Sequence, residues 1–248
     1  MGLTSALQIG RSGLVASQVG IQVASNNMSN AATPGYSRQV LSLAPGRDQL
    51  SGLYALGTGV GIRAVERQID EALQTRLRES ISNERASAER RVVLDQLESV
   101  MNELTGSDLS TNLSNFFNAF SDGANLIQSD AVLIEQGVSL ASFMKSTRGN
   151  LIDLREQIEV QIDARTRRAN ELLTQIADIN GEIATSEVGG ATANGLRDRR
   201  DEMLGELAGY MDIDTVEDNR GIVDVYVASV PVVLAGQNLG LEVERVSD

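Results

Sequence analysis

Asn26-Asn27-Met28-Ser29-Asn30-Ala31-Ala32-Thr33-Pro34-Gly35-Tyr36-Ser37-Arg38-Gln39 closes an N-terminal segment in which Leu7, Leu14, Ile21 and Met28 recur every seven residues. Read as a heptad, these four hold one seam position, and Leu3, Gly10, Ser17, Ala24 and Ala31 hold the other, a large row beside a small one. Burying Leu3, Leu7, Leu14, Ile21 and Met28 would yield on the order of 10 kcal/mol gross, but only if a partner covers them. Gly10, Gly13 and Gly20 each cost roughly 1 kcal/mol relative to Ala in a helix interior. Ordering costs a further ~1 to 2 kcal/mol per residue, so the segment is a poor lone helix and needs something to pack on. Pro34 forces Thr33 into an extended conformation, and Gly35 supplies the positive φ that a type II turn needs at its third position. The helix must therefore end before Thr33.

Beyond this turn the pattern changes. Val40, Leu41 and Leu43 read as a short strand, Pro45-Gly46 as a turn, and Gly57-Thr58-Gly59-Val60-Gly61-Ile62 as a glycine-rich hairpin or loop. The three glycines lack the Lys-Ser/Thr pair of a phosphate loop, and no dinucleotide-type strand-loop-helix unit follows. From about Glu66 to Leu104 nothing interrupts a helical pattern, which predicts a rod of roughly 55 to 60 Å. Gly106-Ser107-Asp108 offers a stop and then an N-cap. Leu109, Leu113, Phe116, Phe117 and Phe120 follow as an aromatic-rich helix ending near Gly123, with the three Phe expected in the core between helices.

Ser129-Asp130 caps a second long helix in which Leu151, Leu154, Ile158, Ile162, Arg165, Ala169, Leu172, Ile176, Ile179 and Ile183 recur at three- and four-residue spacings. It should lie antiparallel to the first, with Arg165 snorkelling or ion-paired on the seam. Gly189-Gly190 break it, and Leu196 to Tyr210 form a shorter helix whose mixed charge reads as solvated or salt-bridged surface. Past Met211 the period becomes two. Ile222 to Leu234 read as strands after an Asp218-Asn219-Arg220-Gly221 turn, and Leu241-Glu242-Val243-Glu244 alternates once more.

Composition narrows the function classes. The net charge is -13, yet residues 1–64 carry Arg11, Arg38, Arg47 and Arg63 against Asp48 alone, so this region is +3 and the remainder -16. Nucleic acid is a poor partner for so acidic a remainder. Cys and His are both absent, which excludes the usual zinc sites and the Ser-His and Cys-His catalytic pairs. Acidic pairs are abundant, but none sits in a pocket-forming motif, so no catalytic, cofactor-binding or metal residue is assigned. With four Phe, four Tyr and no Trp, aliphatic residues must dominate the packing, which suits long helices better than an enzyme fold. No Sec-type signal peptide and no membrane-length apolar run occurs.

The string Asn26 to Gln39, in register after the heptad, resembles the signature of the axial proteins of the bacterial flagellum. Ser37-Arg38-Gln39, the segment from Val65 through Leu77-Arg78 with its Arg67-x-x-Asp70, Asn115 to Phe120 and Leu196 to Leu204 look most like the hook-associated protein 1 family within them. The resemblance implies a secreted, extracellular structural subunit exported by the flagellar type III apparatus, without cofactor or enzymatic activity, which joins hook to filament by self-assembly. The implied partners are further copies, neighbouring axial proteins such as the hook protein and the second junction protein, and a type III export chaperone. Leu3, Leu7, Leu14, Ile21 and Met28, with Asn26, Asn27 and Asn30, are then the subunit-assembly residues, and Thr33, Pro34, Gly35 and Tyr36 the turn that aims the helix. Such a protein would continue through more sheet to a C-terminal helix pairing with the N-terminal one, so the sequence is read as an N-terminal portion. A rod or hook protein, or a non-flagellar coiled-coil adaptor or signalling module, are the alternatives. The long helices argue against the first, and the second should dimerise discretely.

The expected fold is mainly α: a coiled-coil-type helix, turn and connector over residues 1–64, a long antiparallel helical bundle over 65–211, and the start of a β-rich region over 212–248.

Overall fold

The computed structural model describes residues 2–51, 54–101, 108–124 and 130–245, and the chain is mainly α. It opens with helix α1 (Gly2–Ser29), then strands β1 (Gln39–Pro45), β2 (Gln49–Ser51), β3 (Tyr54–Leu56) and β4 (Val60–Arg67). Helices α2 (Glu71–Met101), α3 (Leu109–Ala124), α4 (Asp130–Ser186) and α5 (Asn194–Ala208) follow, and β5 (Asp214–Glu217), β6 (Val223–Val227), β7 (Val230–Leu234) and β8 (Gln237–Asn238) complete the order. Contacts divide the chain into two units, Met1–Ser82 with Ala169–Glu242, and Asn83–Arg168 with Val243–Asp248.

In the first unit, β1 and β4 form an antiparallel ribbon that α1 packs against, while β5 to β8 form a four-stranded meander. The core lies between that meander, α5 and the C-terminal part of α4. Ala169, Leu172, Leu173 and Ile176 of α4 meet Leu204 and Leu207 of α5 and Val223, Val225, Val232 and Val233 of the sheet, all nearly sealed from solvent. Each fully buried aliphatic side chain here is worth about 1.5–3 kcal/mol. Alternation along β6 sends Val223 and Val225 inward, the period-two signal that the sequence carries.

Three sequence expectations shift here. The helix read from about Glu66 begins at Glu71, because Val65, Glu66 and Arg67 pair with Leu41, Val40 and Gln39 to extend β4. Asp70 then caps the helix, its carboxylate accepting from the Leu73 amide at 3.0 Å. Leu241, expected in a strand, lies in a segment without regular structure. Its amide donates to Asn170 Oδ1 at 2.8 Å and its carbonyl accepts from Asn170 Nδ2 at 2.9 Å, so a side chain on α4 takes the bonds that a strand neighbour would supply. Of the two readings of the charge on the short helix, salt-bridged holds and solvated surface does not: Asp198 and Arg200 are buried and paired with Arg67 and Glu217.

In the second unit, α2 and α4 run antiparallel. Arg165 ion-pairs with Glu89 at 2.6 Å, while Ser99 and Val100 share a cavity lining with Asn150 and Leu154, so positions rise along one helix as they fall along the other. Helix α3 begins at its expected cap, where Asp108 accepts from the Thr111 amide at 2.6 Å. That bond holds the Asp108 carboxyl below its usual range. The three Phe do not share one core. Phe116 is half-buried and a Cβ at Gly137 would lie 3.5 Å from its ring, but Phe117 and Phe120 are exposed. On a helix the covered face that holds Phe116 and Ala119 turns Phe117 away. The stop at Gly106-Ser107 and the Ser129 cap fall outside the described residues.

Candidate assembly interface

Helix α1 presents two unlike faces. One carries Ser12, Gly13, Ala16, Val19, Gly20, Val23 and Asn27, wholly or partly covered by the chain itself. Small residues dominate it because the ribbon approaches closely: a Cβ at Gly20 would lie 3.7 Å from Leu41 Cδ2, and one at Gly59, whose φ is +107°, would collide with Ser12 Oγ. The Ser12 hydroxyl accepts from the Val60 amide at 3.2 Å and donates to the Ile9 carbonyl at 2.8 Å, which ties helix to ribbon. The opposite side bears Leu3, Leu7, Leu14, Ile21 and Met28, exposed by 79%, 67%, 74%, 68% and 77%. The row read from the heptad is thus one continuous stripe that none of the described residues covers. Met28 lies on it just before the turn.

At the end of α1 the asparagines build the corner. Asn30 Nδ2 donates to Asn26 Oδ1 at 2.8 Å and to the Asn26 carbonyl at 3.0 Å, and Thr33 Oγ1 donates to Asn30 Oδ1 at 3.3 Å. Asn27 pairs with the backbone of Gln39 in both directions, each bond 2.8 Å long, so its amide acts as a strand neighbour at the start of β1. Tyr36 completes the corner by donating its hydroxyl proton to Asn27 Oδ1 at 2.7 Å. Thr33-Pro34-Gly35-Tyr36 closes through the Tyr36 amide on the Thr33 carbonyl at 3.3 Å, with Gly35 at φ +75° in the third position. Burial, and then the charge of Asp198, raise the Tyr36 pKa, so the phenol keeps its proton as donor.

The turn rests on α5. A Cβ at Gly35 would lie 3.4 Å from Glu202 Oε2, and the Ser37 amide donates to Asp198 Oδ2 at 3.2 Å. Arg67, at the end of β4, donates from Nη1 to Asp198 Oδ1 at 2.9 Å and to Asp201 Oδ2 at 2.6 Å. Asn194 Nδ2 reaches the Val65 carbonyl at 2.7 Å. The neighbouring face of α5 points to the sheet. Arg200, only 1% exposed, donates to Asn180 Oδ1, the Gly221 carbonyl and Glu217 Oε2. Arg197 grips Glu187 through Nε and Nη2, both at 2.8 Å, and also reaches Glu217. The hydrogen bonds from Arg197 hold the Glu187 carboxyl below its usual range.

Every residue singled out for assembly lies on α1 or at its C-terminal corner. The large row faces outward, whereas Asn26, Asn27 and Asn30 spend their amides inside the chain on fixing the corner. Sequence reasoning missed Arg67, Asn194, Asp198 and Asp201. For Asn194, Asp198 and Asp201 the available signal was spacing, since they fall with Glu202 on one helical face and all four are polar.

The family of the flagellar hook-associated protein FlgK helical domain matches residues 94–248. Flagellar hook-associated protein 1 of Bacillus subtilis (strain 168) is 29% identical over 217 residues, covering 84% of this chain and 43% of that protein. Its counterpart in Escherichia coli (strain K12) is 26% identical over 232 residues, 92% of this chain and 42% of that one. The chain therefore spans less than half the length of these curated relatives. The solved structure of the flagellar hook junction protein FlgK from Burkholderia pseudomallei superposes with a TM-score of 0.52 at 19% identity, over 66% of this chain and 29% of that one, a likeness of fold. Among the described residues no helix is long and apolar enough to cross a membrane.

Proposed function

This chain belongs to the FlgK family of flagellar hook-associated proteins, and from that premise we propose that it is a structural subunit joining hook to filament, assembling through the exposed row of α1. The observation that carries the reading is the solvent-facing stripe of Leu3, Leu7, Leu14, Ile21 and Met28 on a helix whose other face is already satisfied. No described residue covers this stripe, so its burial calls for a further surface. Repeated heterologously, many weak contacts of this kind sum to a polymer. In this reading residues 1–64 form the axial core and connector, 65–211 the helical bundle and 212–248 the β region. The partners are further copies and adjoining axial proteins outside the cell, with an export chaperone before secretion.

The test is substitution in the full-length protein. There Leu7→Glu with Leu14→Glu should abolish incorporation at the hook tip and motility, while in the 248-residue chain, where both side chains are exposed, the same changes should leave the far-UV spectrum and melting temperature near wild type. Normal junctions in such cells would overturn the reading. A tight discrete dimer of the purified chain, unaffected by the same changes, would favour an adaptor instead.

A further inference from the structure

Among the described residues, the polar face of α5 meets the N-terminal region at the turn, where Gly35 lies against Glu202, and at the foot of the β1–β4 ribbon. Ser37 lies just before β1 and Arg67 ends β4, so both strands leave the bundle at the same place. Gln68 closes this foot by donating its amide to the Arg38 carbonyl at 2.8 Å. Asp198 holds both sides of it, one carboxylate oxygen on the Ser37 amide and the other on Arg67, and Asp201 takes a second bond from the same guanidinium nitrogen. The three side chains are largely enclosed, Arg67 at 5% exposure, Asp198 at 10% and Asp201 at 21%. Desolvation of buried charges offsets much of their attraction, so the gain from such a cluster lies more in fixed direction than in stability.

Helix α1 rides on the ribbon rather than on α5. Its polar attachments include Ser12 to Val60, and Asn27 to Gln39 and Tyr36. Whatever fixes the foot of the ribbon therefore fixes the direction in which the apolar row points. We infer that Asp198 and Arg67, supported by Asp201, form a positioning clamp that sets the angle of the assembly helix relative to α5 and its sheet. This inference rests on the assembly reading only for its purpose; the geometry it asserts is measurable without it.

The absence of Cys makes spin labelling clean. In the 248-residue chain, labels at Gln22→Cys on α1 and Arg199→Cys on α5 report the angle, and labels at Gln22→Cys and Arg63→Cys report α1 on its own ribbon; all three native side chains are exposed. Asp198→Asn keeps an oxygen for the Ser37 amide and removes the charge facing Arg67. It should broaden the 22–199 distance distribution by about twofold while leaving the 22–63 distribution unchanged. Arg67→Met, which keeps much of the apolar stem and removes the donor that both carboxylates share, should do the same and guards against a folding failure of the first variant. Unchanged distributions for both pairs would overturn the inference. So would broadening of both pairs together, which would make the cluster a general support of the fold. The assembly reading fails separately: if Leu14→Glu self-associates like wild type, that reading falls and the label distances stand.

Discussion

Gly35 concentrates three demands on one position. Its φ of +75° and the turn bond from Tyr36 hold a conformation that a β-branched residue rarely adopts, and a Cβ there would already touch Glu202. Gly35→Val should cost about 1–3 kcal/mol, read as a lower urea midpoint, and should disturb junction assembly in the full-length protein far more than the core around Leu204 and Val225. Wild-type stability and motility for this variant would deny the turn its role. Glu187 gives a second prediction, set by pH. Its folded pKa is depressed, chiefly by the bidentate hydrogen bonds from Arg197, so its contribution is fully present above the ordinary glutamate pKa of about 4.3 and is lost as pH falls through the lower folded value. Asp108 acts in the same direction through the Thr111 amide. Urea midpoints should therefore fall as pH drops below that range, and Glu187→Gln should flatten part of the decline. Parallel curves for variant and wild type would count against this ion pair as a source of acid sensitivity.

Helix α1 should exchange its amides unevenly. The turns before Gly10 lie almost wholly exposed, while Ala16, Gly20 and Asn27 sit against the ribbon or the corner. In a demonstrated monomer, protection should be weak from Leu3 to Ile9 and stronger from Ala16 to Met28, and uniform strong protection would show that the exposed row is not short of a partner. The contrast also shows what a sequence can disclose. The end of α1, the turn at Gly35, the cap at Asp108 and the break of α4 before Gly189-Gly190 were legible because Pro, Gly and Asp act on their immediate neighbours. The extension of β4 to Arg67 was not, since it depends on pairing with Gln39 far along the chain. Nor was the burial of Arg200, whose acceptors come from α4, β5 and the turn before β6. A helix so rich in charge reads as solvated until the elements that surround it are known. The outward face of α1 was legible as a heptad, but that Gly20 lies against Leu41 of the ribbon was not, because weak helix formers and contact sites look alike in one dimension.

The whole chain sets two forces against each other when copies meet. Its net charge of -13 repels like molecules, and the exposed α1 row attracts them. Within that charge, residues 1–64 are +3 and the remainder is -16, so an attraction of the basic end for a neighbour's acidic body is a competing source of association. Salt separates the two. The Debye length shrinks from about 10 Å at 0.1 M to about 3 Å at 1 M, which weakens both the repulsion and any exposed ionic contact while leaving apolar burial intact. If the row drives association, the weight-average mass in sedimentation should rise with concentration and rise further as salt increases, and Leu7→Glu with Leu14→Glu should remove both trends. Dissociation by salt would instead assign the contact to the charge asymmetry, and the row would then have to find its neighbour elsewhere in the axial structure.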